Sequence, residues 1–183
     1  KVFSQVAVKT NLLYDVLTTP NLGVDVGLGG KSSINVVYGL NAWKFRSSDR
    51  VDKFAKHWVV MPEYRWWPCS RFNGHFIGAH LLGGEMNISN FRAFVPGCFV
   101  SGINLATAVK DGRYQGEFVG AGFTYGYAWP ISKHWNFEAT LGAGYVWVHY
   151  KHYPCGECGS MIDDGNTNYI GLTKIGLSLS YLF

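Results

Sequence analysis

The sequence contains no hydrophobic run long enough for a membrane-spanning helix. Such a helix needs about 18 or more mainly apolar residues in a row, and every apolar stretch of this chain is interrupted within a few positions by Gly, Asn, Asp or Lys. Charge is also scarce, because only 15% of the residues are Asp, Glu, Lys or Arg, whereas soluble domains average about 25%. The composition therefore argues against a helical membrane protein and is atypical of a soluble domain.

Aromatic residues (16%) and glycines (23 residues) are abundant instead. In segment after segment, apolar and polar side chains alternate with a period of two, which is typical of strands with one face in lipid. Only a closed sheet lets strands cross a bilayer, because every backbone polar group must be paired internally. The pattern predicts a single domain over residues 1–183, an all-β, transmembrane, antiparallel up-and-down barrel of about eight strands in a bacterial outer membrane.

The alternation places the eight strands at residues 5–16, 21–28, 33–44, 57–67, 75–86, 116–129, 134–150 and 169–183. The connections after the third, fifth and seventh strands are long, which predicts that they lie outside the cell, opposite short periplasmic turns. Aromatic residues near the strand ends predict two girdles at the lipid–water boundaries, formed by Trp66, Trp67, Trp129 and Trp135 and by Tyr14, Trp58, Tyr145 and Trp147. The last strand ends on Phe183, which resembles the signal that the outer-membrane barrel insertase recognises.

Ionisable residues on the polar faces of these strands are predicted to point into the barrel. An eight-stranded barrel is just wide enough for side chains to fill it, so such charges must pair with one another. We interpret them as an ion-pair plug, with a gated ion path or an acid–base pair of Glu63 and His80 as the alternatives. The predicted network is Lys9, Asp15, Asp25, Glu63, Arg65, His80, Glu138 and Lys174.

Pro62 falls on the predicted lipid face in the middle of strand 57–67. Proline has no N–H to donate to a strand ladder. The sequence therefore predicts either a bulge or kink at Pro62, or a weakened seam between two strands.

Cys155 and Cys158 are predicted to lie in the last outside loop. A Cys-x-x-Cys pair with glycines forms a small disulfide or supplies half of a zinc site. Cys98 and His152 are expected on the same side and would complete a tetrahedral zinc set. We favour the disulfide over zinc, and we expect no other cofactor.

The predicted connection 87–115 is apolar for an exposed loop. A long apolar loop either binds a protein partner or folds over its own barrel. The candidate partner-binding residues are Phe91, Phe94, Phe99 and Ile103. No basic run with interleaved aromatics indicates a nucleic-acid partner.

Four segments, Val8–Asp15, Thr19–Gly23, Arg71–Phe76 and Cys155–Gly159, follow one another along most of the chain. Together they resemble an outer-membrane barrel family of Bacteroidetes whose function is unknown. The resemblance implies the same fold, location and phylum, and it supplies no catalytic residues.

These observations favour a non-enzymatic barrel that serves as an accessory or structural subunit of a larger cell-surface complex. Its expected partners are outer-membrane lipid including lipopolysaccharide, another outer-membrane or surface protein, and the barrel insertase during assembly. The alternatives are a narrow channel and a lipid-modifying enzyme that acts on a lipid A type substrate. Such an enzyme needs His, Ser and an acid on the outer rim; His149 lies there, but the predicted strands place no outward Ser and Glu beside it.

Overall fold

Eight long strands form a closed antiparallel ring. The computed structural model describes residues 5–45, 53–89, 97–101, 113–154 and 160–183. Each long strand pairs with the next one along the chain, and the first pairs with the last, so the predicted eight-stranded barrel is confirmed. The ring consists of β1 (Val6–Asn11), β2 (Asn21–Gly27), β3 (Ser32–Asn41), β5 (Lys53–Trp66), β6 (Gly74–Ser89), β8 (Arg113–Pro130), β9 (Trp135–Tyr153) and β10 (Asp163–Leu182). Two short strands, β4 (Lys44–Phe45) and β7 (Gly97–Ser101), pair with β5 and β10.

The first strand is shorter than predicted. The prediction of a strand to residue 16 is wrong, because residues Leu12–Val16 form a short helix, α1. The side chain of Asn11 accepts a hydrogen bond from the backbone N–H of Leu13 (3.2 Å) and caps this helix, as Asn side chains do at helix starts. Within the residues that the structure describes, no helix is both long and apolar enough to cross a membrane.

The outer face of the barrel changes character along the strands. On β9, every second residue from Trp135 to Trp147 is apolar or aromatic and occupies the outer face, while Glu138 faces inward and is buried. Beyond Trp147 the outer residues become polar and the inner ones apolar. Val148 is buried inside, whereas His149 and the exposed Lys151 occupy the outer positions. The same change occurs on β8 at Glu117, which pairs with His149, and on β6 at Glu85, which pairs with Glu117. The barrel thus carries an apolar outer belt that ends at a row of paired polar residues.

Side chains fill the barrel interior at three levels. Near the short turns an aromatic cluster contains Trp67 and Phe76, both fully buried, together with Phe72. The prediction that Trp67 belongs to an outer girdle is therefore wrong. Charged residues occupy the middle level. A second apolar cluster lies near the long connections and consists of Met61, Leu82, Met86, Tyr114, Val146, Val148, Tyr150 and Tyr169.

Strands β1 and β7 and the side chain of Asn11 cover the seam edge of β10. Strand β1 pairs with residues 178–182 only, because it ends at Asn11. Above it, the Asn11 side chain donates to the carbonyl oxygen of Ile175 and accepts from the backbone N–H of Leu177, each at 3.1 Å. Further up, β7 pairs with residues 168–171 of β10. The predicted connection 87–115 therefore contains a strand that continues the sheet at the seam.

Pro62 interrupts one strand ladder without a bulge. It is exposed on the outer face and pairs with Val36 of β3. On the other side, the pairs Val60–Gly83 and Glu63–His80 keep one register, and Met61 and Pro62 between them have no paired residue on β6. A missing proline N–H accounts for such a gap. The register contains no bulge at Pro62, and the predicted kink or weakened seam stays a prediction.

Substituting Gly84 is expected to destabilise the barrel. A Cβ atom at Gly84 would overlap the backbone carbonyl oxygen of Trp58, whereas a Cβ at Gly83 would meet its nearest atom at 3.8 Å. We expect Gly84→Ala to lower the free energy of unfolding by about 1–3 kcal/mol, the usual cost of overpacking. Urea unfolding in detergent micelles measures the effect, with Gly83→Ala as the matched control. Equal midpoints for the two variants would contradict the prediction.

Candidate functional site

Six buried charged residues form one connected network in the middle of the barrel. The guanidinium of Arg65 contacts three carboxylates: it donates to Glu63, to Asp25 (3.0 Å) and to Glu138 (2.9 Å). Lys9 lies 3.3 Å from Asp25 and 3.2 Å from Glu138, and Lys174 lies 2.8 Å from Glu63. Three cations therefore balance three anions. The side chains come from β1, β2, β5, β9 and β10, so the network joins strands on opposite sides of the ring.

The network leaves little free space around it. A cavity of about 20 Å³ lies beside Lys9, Arg65, Glu138 and Lys174, which is room for about one water molecule. Asp25 Oδ1 and Glu63 Oε1 have no hydrogen-bond partner among the described protein atoms. The arrangement can hold the barrel walls together and fill the lumen at this level.

Two members of the predicted network lie elsewhere. Asp15 is exposed on α1, where it accepts hydrogen bonds from Thr10 (2.7 Å) and Asn21 (3.0 Å), so its predicted place in the interior is wrong. His80 is buried but forms no ion pair in the described structure. Its ring nitrogens contact the hydroxyls of Thr124 (2.8 Å) and Thr173 (2.9 Å), and Thr173 lies where the β9–β10 register shifts.

The pairing of the strands shows that two of the four candidate zinc ligands lie far apart. Cys98 of β7 lies opposite Ile170 of β10, and His152 of β9 lies opposite Asp163 of β10. The seven positions between Asp163 and Ile170 amount to roughly 23 Å along the strand, so Cys98 and His152 cannot bind one ion at the ~2.0–2.3 Å that zinc requires. Cys155 and Cys158 lie outside the described residues, and their disulfide stays a prediction. Among the described residues, no group of three His, Cys, Asp or Glu is arranged to hold a metal.

Of the four candidate partner-binding residues, the structure describes one. Phe99 is half-buried, and its ring packs against that of Tyr169 with a centroid distance of 5.4 Å. Phe99 thus contributes to the packing of the seam, and its role in partner contact stays a prediction. Phe91, Phe94 and Ile103 lie outside the described residues.

Two rows of polar residues cross the outer face directly above the apolar belt. In the lower row, neighbouring strands pair Trp58 with Glu85, Glu85 with Glu117, Glu117 with His149, and His149 with Asn166. In the upper row they pair Lys56 with Asn87, Asn87 with Gln115, Gln115 with Lys151, and Lys151 with Asp164. The indole N–H of Trp58 donates to Glu85 (3.1 Å), and His149 Nδ1 lies 2.9 Å from Asn166 Oδ1. We call these two rows the rim surface; eight of their residues line a groove of about 590 Å³.

Comparison with known families decides where the chain belongs. The family model described as a protein of unknown function, DUF3575, matches residues 2–183. The chain is a member of the DUF3575 family. No curated protein matches the sequence.

The rim surface of this DUF3575 chain corrects one sequence interpretation. Glu117 does lie on the outer face beside His149, although the predicted strands placed no outward Glu there. The residues that line the groove include no Ser, Thr or Cys, so the groove supplies no hydroxyl or thiol nucleophile. The rim surface went unrecognised because its residues straddle the predicted strand ends, where the apolar side chains change faces.

Proposed function

We propose that the chain is an integral outer-membrane β-barrel of a Bacteroidetes cell. In this role it is an accessory or structural subunit of a larger surface complex. Outer-membrane lipid including lipopolysaccharide surrounds its belt, and the barrel insertase assembles it. The observation that carries the proposal is the apolar outer belt around an interior that holds paired charges.

The height of the belt fits a bilayer. The twelve steps from Trp135 to Trp147 on β9 correspond to about 40 Å along the strand. A strand tilt of about 35–45° reduces this to roughly 30 Å across the membrane. Aromatic residues at both ends of the belt, such as Trp135 and Tyr145, are about half exposed, as expected for girdles at the lipid–water boundaries.

The filled interior favours an anchoring role over conduction. Arg65 and Glu63 occupy the middle of the lumen with almost no exposure, and apolar clusters lie on both sides of them. A channel needs a water-filled path, which eight-stranded barrels seldom offer. The sides of the barrel that project from the membrane are then the surfaces available for a partner.

Capture of the full chain from native outer membranes in mild detergent tests the accessory role. We expect a stoichiometric partner protein to copurify, and we expect the triple variant Phe91→Ser/Phe94→Ser/Ile103→Ser to lose it. This variant leaves β7 and its Phe99 contact unchanged, so the seam keeps its packing.

The matched control is Ile131→Ser, which alters an exposed apolar residue in the short turn after β8. It should retain the partner. Recovery of the wild-type chain alone, or equal retention by the triple variant, would contradict the accessory role.

A further inference from the structure

We propose that the rim surface binds the phosphorylated sugar headgroup of a membrane glycolipid. The proposal rests on the membrane location proposed above and assigns a ligand to one part of the barrel wall. The groove volume of about 590 Å³ is typical of small-molecule sites, which span about 300–1,000 Å³.

The position of the groove at the edge of the apolar belt favours a lipid headgroup as its ligand. Its lower row begins one outward position above Trp147, the last aromatic residue of the belt on β9. Acyl chains that lie along the belt would bring their headgroup to this level. Trp58 lies at the belt side of the groove, and its hydrogen bond to Glu85 fixes the indole plane, so that a sugar ring can pack against it.

The two lysines of the upper row match a headgroup with two anionic groups. Lys56 on β5 and Lys151 on β9 both line the groove and form no ion pair in the described structure. Three inter-strand steps separate them, a distance of about 14 Å. Two phosphates at the ends of a disaccharide would give each lysine its own anionic partner.

Polar side chains between the lysines suit sugar hydroxyls. Asn87 and Gln115 offer amide donors and acceptors, and Glu85 and Glu117 offer carboxylate acceptors. The carboxylates lie in the lower row, one step closer to the belt than the lysines. Hydroxyl and amide groups that link the headgroup to its acyl chains would therefore face Glu85 and Glu117, and the phosphates would face the lysines.

Native mass spectrometry of the full chain tests the proposal. The chain is reconstituted into vesicles of neutral phosphatidylcholine that contain equal small fractions of a diphosphorylated disaccharide glycolipid and of phosphatidylglycerol. We expect the released protein to retain the glycolipid preferentially. Lys56→Gln/Lys151→Gln should lower its retention about tenfold or more, because hydrogen bonds to charged groups are among the strong ones.

The matched control is Lys31→Gln/Lys133→Gln, which removes two exposed lysines at the short-turn end. It should retain the glycolipid like the wild-type chain. Equal retention of both lipids by the wild type, or unchanged retention by the Lys56→Gln/Lys151→Gln variant, would overturn the headgroup site and leave the membrane location intact. Failure of the wild-type chain to insert into the vesicles would overturn both proposals.

Discussion

Replacing Arg65 by Met is expected to lower the free energy of unfolding by about 3–5 kcal/mol, the usual cost of removing one partner from a buried ion network. Arg65 contacts Asp25, Glu63 and Glu138. After the substitution only Lys9 and Lys174 remain to balance these three carboxylates. Urea unfolding in detergent micelles, followed by tryptophan fluorescence, measures the loss.

Two further variants show whether the loss comes from the network. Lys133→Met removes an exposed cation in a short turn and should change stability by less than about 0.5 kcal/mol. Adding Glu138→Gln to Arg65→Met should restore part of the stability, because it removes one of the uncompensated charges and coupled sites are not additive. A loss below about 1 kcal/mol for Arg65→Met would show that the network is not a structural plug.

Phe123→Arg is expected to destabilise the barrel in lipid vesicles by about 2–4 kcal/mol, the cost of Arg near the bilayer midplane on a barrel's outer face. Phe123 is 77% exposed and lies on the outer face of β8, within the belt. In water the same substitution would remove an exposed apolar side chain and change stability by less than about 0.5 kcal/mol. Urea unfolding from vesicles of one fixed lipid composition measures the difference.

Gln115→Arg provides the control on the same strand. Gln115 is exposed on the outer face of β8 but lies in the upper row of the rim surface. Near a membrane boundary an outward Arg costs about 0–1 kcal/mol. Equal effects of Phe123→Arg and Gln115→Arg would mean that the belt does not lie in lipid.

Alternation in the sequence predicted the barrel because strands with an apolar outer face and a polar inner face repeat with a period of two. On β9, the seven outer residues from Trp135 to Trp147 are all apolar or aromatic. The alternation therefore shows both that this segment is a strand and which of its side chains point outward. Leu12, Tyr14 and Val16 continue the same spacing but form a helix, because the Asn11 cap offers the backbone an alternative that a period of two does not reveal. Trp67 directly follows Trp66, whose side chain points outward. Because neighbouring strand residues face opposite sides, the alternation alone would have placed Trp67 inside the barrel.

The partners within the charge network could not be predicted in the same way. The alternation identifies Lys9 and Glu138 as inward residues. They lie on β1 and β9, however, and β10 separates these two strands. Their contact depends on the register of several strands and on the shear of the closed ring. The rim surface was missed for another reason. Above the belt the outer residues become polar and the inner ones apolar, as in Lys151 and Tyr150, so the alternation that marks a lipid face ends there.

Collision measurements on spin labels test whether the outer belt lies in lipid. Single-cysteine variants Phe123→Cys and Gln115→Cys, with the native cysteines replaced by Ser, carry a nitroxide in reconstituted vesicles. Oxygen concentrates in the bilayer, and a water-soluble nickel chelate is excluded from it. We expect the label at position 123 to collide with oxygen and to be shielded from the chelate, and we expect the label at position 115 to be accessible to the chelate. Full accessibility of position 123 to the chelate would contradict the membrane-embedded barrel.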